Sequence, residues 1–178
     1  MHALLQRLIL DHKNLLRLLE VLERQLDEFH AGREHDLDLL CELIEYVESY
    51  EDQVHHPTED LIFAHFKEIS DEKRVALETL EDQHQILADM TRRFRNSLDA
   101  IMHEGVVLRR DVEAQGRAML KTLRQHMDLE ENEVFGLLEE RLDATDWALL
   151  EGRVPKAHDP IFGTPDPARF RALFQHFR

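Results

Sequence analysis

Six side chains in this chain have the types and spacing needed to hold metal: His12, His55, Glu59, His84, His126 and Glu130. They make two copies of one pattern. His12 to His84 is 72 residues, His55 to His126 is 71, and Glu59 to Glu130 is 71. In the second half of each copy a glutamate follows a histidine at i+4, one turn along the same helix face. Burying one unpaired carboxylate is expensive, and burying two together is worse. No Lys or Arg lies at that level of the pattern to pair with them. Imidazole nitrogens and carboxylate oxygens suit Zn, Fe, Mn, Ni or Cu. Six ligands exceed the three or four that a single zinc takes. They suit two metals a few Å apart, each with two histidines and both bridged by the two glutamates. The sulfur-free donor set favours two iron ions, with manganese or zinc as alternatives. The competing reading is a set of buried His–Glu hydrogen bonds with no cation.

The elements that must position these residues are four long helices. Apolar residues recur in steps of three and four at Leu5, Leu8, Leu15, Leu19, Leu22, Leu26 and Phe29, and His12 fills the one gap. A second stripe runs Leu37, Leu40, Ile44, Val47, Val54, Ile62 and Phe66, interrupted by His55 and Glu59. Pro57 lies inside it, so the spacing predicts one helix kinked at the proline. A third stripe runs from Leu77 to Ile101 with His84 on it, and a fourth from Val112 to Leu137 with His126 and Glu130. Gly32 and Gly105 mark helix ends, and Ser70 offers an N-cap for the third helix. The turns fall near residues 33, 69 and 105, which sets all four histidines at nearly equal distances from each turn. At about 1.5 Å per residue they share one level. The offset also relates Leu8 to Leu80, Leu15 to Leu87, Leu22 to Phe94 and Leu26 to Leu98. The expectation is an all-α, up-down-up-down four-helix bundle built from a duplicated hairpin.

The bundle with its metal site spans 1–142. Residues 143–178 form a short helix over 146–150 and then an irregular, Pro-rich tail packed on the bundle through Ile161, Phe162, Phe170, Leu173 and Phe174. His2, His30, His35, His103, His158 and His176 fall near termini or turns and read as solvated, and His65 reads as surface. His56 and Asp60 share the i, i+4 spacing of His55 and Glu59. At 100° per residue the apolar stripe favours His55, leaving His56 and Asp60 on the rim, with His56 as the alternative ligand. Tyr50, a turn and a half from His55, packs near the site or donates a hydrogen bond there.

The formal net charge is −15, from 37 acidic and 22 basic residues. That sign opposes binding to nucleic acid or to anionic membrane surfaces. No apolar run is long enough to span a bilayer, and the N-terminal residues lack a signal peptide's apolar region. The single cysteine, Cys41, forms no internal disulfide and fits a reducing, cytoplasmic compartment.

The segment His55-His56-Pro57-Thr58-Glu59-Asp60-Leu61-Ile62-Phe63 resembles the signature of hemerythrin-like, or HHE cation-binding, domains. His126-Met127-Asp128-Leu129-Glu130-Glu131 resembles that family's second ligand motif, and Asp11-His12 and Gln83-His84 its single-histidine positions. Asp159-Pro160-Ile161-Phe162-Gly163 is similar to a tail segment of bacterial members. The resemblance implies a four-helix bundle around a non-haem di-iron centre held by His12, His55, Glu59, His84, His126 and Glu130. Oxygen-carrying hemerythrins have a fifth histidine four residues from the third-helix ligand. Here those positions are Leu80 and Ala88. The second carboxylate stands at i+4 where the carriers have i+5. The site therefore resembles those of iron–sulfur-cluster repair proteins and iron-sensing domains more than that of a carrier.

The expected function is di-iron binding with a small diatomic or peroxide (O2, NO or H2O2) as partner, in sensing or stress response. Two alternatives stand beside it: an iron-responsive interaction module, and an iron donor for cluster repair, weakened by the absence of paired cysteines. Storage is disfavoured because the paired Glu-x-x-His spacing of ferritins is absent. No catalytic residue is assigned, and whether the chain is an enzyme stays open.

Overall fold

A computed structural model of the chain describes residues 1–33 and 36–177. His35 lies outside the described residues. The first helix, α1 (Ala3–His30), is capped by the His2 side chain, which accepts from the Leu4 amide at 3.2 Å. It ends as its glycine requires: Gly32 has φ of 70° and the Arg33 amide reaches back to the Glu28 carbonyl.

The second bundle helix is continuous over 37–69 but not uniform. It comprises α2 (Leu37–Tyr46), a π-helical stretch (Val47–His55) and α3 (His56–Ile69). The irregularity thus precedes Pro57, which sits in the first turn of α3 where the winding changes. Ser70 does not cap the third helix. It closes α3, and its hydroxyl accepts from the Glu72 amide at 3.1 Å. The third helix, α4 (Arg74–Met102), follows Lys73, whose backbone is left-handed at φ of 53°. The fourth is again interrupted: α5 (Arg109–Leu129), a π-helical turn (Glu130–Val134) and α6 (Phe135–Arg141).

These four helices form the expected all-α bundle, with α1 packed on α5, and α4 on both α5 and α2. α1 and α5 approach closely at Gly116, where a Cβ would lie 2.8 Å from Leu26. The apolar interior is split in two. One cluster contains Leu15, Leu22, Leu26, Leu87, Phe94, Met119 and Leu123. The other contains Leu5, Leu8, Phe63, Phe66, Leu80 and Phe135. The polar residues of the repeated pattern occupy the level between them.

The remainder packs onto both clusters. α7 (Ala144–Glu151) starts at a reciprocal cap between Asp143 and Asp146, and contributes Trp147 and Leu150 to the second cluster. The tail adds Ile161, Phe170 and Leu173 to the first. A short helix, α8 (Arg171–His176), carries Leu173 and was not foreseen from sequence. The tail is tied by Asp159, which accepts from the Tyr46 hydroxyl at 3.0 Å and from the Ile161 and Phe162 amides at 2.8 Å each.

Candidate metal centre

All six residues of the repeated pattern converge between the two apolar clusters, and each is at most 3% exposed. The Glu59 carboxylate faces three imidazoles. Its Oε1 lies 3.2 Å from His55 Nε2 and 3.7 Å from His12 Nε2, and its Oε2 lies 3.5 Å from His84 Nε2. Glu130 mirrors it. Its Oε2 is 3.3 Å from His12 Nε2, and its Oε1 is 3.1 Å from His126 Nε2 and 3.6 Å from His84 Nε2. Each carboxylate therefore offers one oxygen toward the α1 side and one toward the α4 side.

His56 joins this group. It is 4% exposed, its ring stacks on His84 with centroids 4.4 Å apart, and it meets His126 edge-on at 5.5 Å. Two sets of donor atoms each gather within 4.8 Å: His12, His55 and Glu59, and His56, Glu59, His84 and His126. The rim position expected for His56 is wrong, and so is the choice between it and His55, because both point inward. The angular argument assumed α-helical winding from Ile44 onward. The intervening π-helical stretch advances less angle per residue, so the extrapolated phase does not hold.

Each imidazole is also held from behind through Nδ1. His12 donates to Glu131 at 2.8 Å, His84 to Asp60 at 2.7 Å and His126 to the Gln83 side-chain oxygen at 2.9 Å. His55 donates to Asp11 at 3.2 Å, and His56 Nδ1 lies 3.4 Å from Asp52. A carboxylate can only accept, so these contacts put the proton on Nδ1 and leave Nε2 as the donor atom facing inward. Tyr50 completes one branch, its hydroxyl donating to Asp11 at 3.2 Å.

Polar satisfaction stops at the inner face. His12, His84 and His126 Nε2 and all four oxygens of Glu59 and Glu130 are buried without a hydrogen-bond partner. Unsatisfied buried polar atoms cost about 1–3 kcal/mol each, more when charged. Seven such atoms on one shared space fit a site built for cations. The donor set, imidazole nitrogen and carboxylate oxygen without sulfur, is that of a transition metal.

Electrostatics agree. Burial, the largest influence, works against charge on His12, yet Glu130 and Glu131 lift it to about 9. Burial is likewise outweighed at His84, which Asp60 and the two glutamates lift to about 11. Glu59 is held down to about 2 against burial and the neighbouring Glu130, by the surrounding histidines. His56 alone is pushed down, by burial, to about 4, so it stays a neutral ring. Protons on the other imidazoles offset the two carboxylates, and a bound cation would take their place.

Sequence reasoning missed Glu51, fully buried one turn before His55, with neither oxygen hydrogen-bonded and its carboxyl pushed up by burial to about 8. Only the winding of the π-helical stretch turns it inward, and no spacing rule marks it. His65 is not a surface residue. It is half-buried and pairs with Asp146 at 2.8 Å, joining α3 to α7.

The sequence model of the family described as Hemerythrin HHE cation binding domain matches residues 3–138. No curated protein and no solved structure matches the chain.

Proposed function

The chain belongs to the hemerythrin HHE cation-binding family, and from that premise we propose that it is a di-iron protein whose centre meets O2, NO or peroxide in sensing or stress response. In this reading His12 and His55 hold one ion and His56, His84 and His126 the other. Glu59 and Glu130 lie between the two. The observation that carries it is the set of buried, unpartnered Nε2 and carboxylate oxygen atoms turned on one space. Two such ions supply redox chemistry and open positions for a small ligand. With three imidazoles on one side and two on the other, the donor-poor side around His12 and His55 is where a small ligand enters.

The chain's own contribution is positional. Glu131, Asp11, Asp52, Asp60 and Gln83 orient the five rings, and the apolar layers above and below exclude bulk water. No residue beyond the donor set is assigned a catalytic role. No described helix is long and apolar enough to cross a membrane, and the lone Cys41 supports a reducing cytoplasm. The test is spectroscopic. Iron-loaded protein should change its near-ultraviolet and visible bands on exposure to at least one of O2, NO or peroxide, and an unchanged spectrum with all three rejects the reading.

A second reading, an iron-responsive interaction module, is favoured by one observation. The tail anchor Asp159 binds Tyr46 on the same helix whose Tyr50 reaches Asp11 and His55. Loss of iron would then loosen the tail as well as the core. Equal protease resistance of the tail with and without iron would reject it.

A further inference from the structure

A cavity of about 550 Å³ opens between the first half of α1 and the tail segment 151–163, with Tyr50 in its wall. It lies outside the metal centre, behind Asp11, and its size is that of a small-molecule site. Leu4, Val154, Pro155 and Phe162 give it an apolar wall.

Its polar groups divide into those already engaged and those left over. Three carboxylates line it, and each has a partner. Asp11 accepts from Tyr50 and His55. Asp159 accepts from Tyr46 and two backbone amides. Glu151 lies 3.5 Å from His2. The donors are different. Arg7 spends one terminal nitrogen on the Thr58 hydroxyl at 2.9 Å, and among the described residues it makes no ion pair. Lys156 stands exposed at the rim, also without an ion pair among the described residues. Asn14 is only 8% exposed, lines the cavity, and its amide makes no hydrogen bond among the described residues. In a protein of net charge −15, unpaired cations beside a buried, unpartnered amide and an apolar wall are a local inversion of the surface.

We propose that this cavity binds a small organic monocarboxylate, with Arg7 and Asn14 receiving the carboxylate and the apolar wall receiving the hydrocarbon. A guanidinium is permanently charged and its planar fork matches a carboxylate. The three engaged carboxylates in the walls disfavour a dianion such as phosphate. A cation is disfavoured because none of those carboxylates is free to take it. The site does not depend on the metal reading, since neither Arg7 nor Asn14 touches the donor set.

The test is calorimetric titration of the full chain as purified with octanoate, with octanol as the neutral probe of equal length, and with inorganic phosphate. Octanoate should bind at one site, roughly tenfold or more tighter than octanol or phosphate. Arg7→Met should weaken octanoate by roughly tenfold, the value of a charge-assisted contact. Lys156→Glu, at an exposed position that leaves the fold intact, should weaken it about threefold. Octanol binding as tightly as octanoate would reduce the site to an apolar crevice. Equal binding of phosphate, no binding of any probe, or unchanged octanoate affinity in folded Arg7→Met and in Lys156→Glu would each overturn the proposal.

Discussion

Each inward-facing imidazole is fixed from two ends, and the two ends do different work. Nδ1 meets an acceptor supplied by a neighbouring helix or by the same helix, while Nε2 faces the shared space. His56 follows the same rule with Asp52 behind it, which argues that it is a donor and not packing. Replacing it, as His56→Ala, should lower affinity for one of the two ions at least roughly tenfold while the other is retained. Metal content of the dialysed variant checks this, and an unchanged content would return His56 to the core. The protonation of the rings carries a pH consequence. His12 and His84 are raised from an ordinary value of 6.5 to about 9 and about 11. A raised histidine stabilises the fold fully below its unfolded value, and that stabilisation is lost as pH climbs through the folded value. Metal-depleted protein should therefore melt at progressively lower temperature as pH rises from about 7 toward about 10. Iron-loaded protein, with its protons replaced by metal, should be flatter over the same range, and parallel melting curves would contradict this.

At the scale of elements, the four stripes and their polar interruptions were legible because amphipathic helices repeat at a fixed period and His12, His55, His84 and His126 each broke an apolar series. Their common height followed from turn positions and helical rise alone. What was not legible has a common cause: departures from α winding. The two π-helical stretches, Val47–His55 and Glu130–Val134, rephase everything after them, which is why His56 and Glu51 turn inward. The repeat is imperfect for the same reason, since the two stretches end and begin at different points relative to the ligand pattern. Ser70 misled because a hydroxyl in a turn suits the end of one helix as well as the start of the next. α8 is one and a half turns long, and its Phe170 and Leu173 become buried only through the bundle surface they meet. The tail's attachment is testable at Asp159. Asp159→Ala strands the Tyr46 hydroxyl and two amides, a loss of about 1–3 kcal/mol. The expected result is a lower melting temperature with early proteolytic loss of the tail, and an unaltered digestion pattern would show that apolar contacts alone hold it.

For the molecule as a whole, the polar layer is the weak plane of an otherwise apolar interior. Two cores meet across five imidazoles and two carboxylates, and helix-to-helix packing there depends on how those charges are satisfied. A cation would satisfy them together, which makes metal binding part of the folding free energy. The strongly acidic exterior, at −15, leaves the bundle's surface unsuited to polyanions. The central claim is that this layer holds two iron ions. Elemental analysis of the aerobically purified chain, read beside its ultraviolet–visible spectrum, tests it most directly. The account predicts about two irons per chain with near-ultraviolet bands of a bridged pair. A single zinc per chain, or no metal at all, would contradict it.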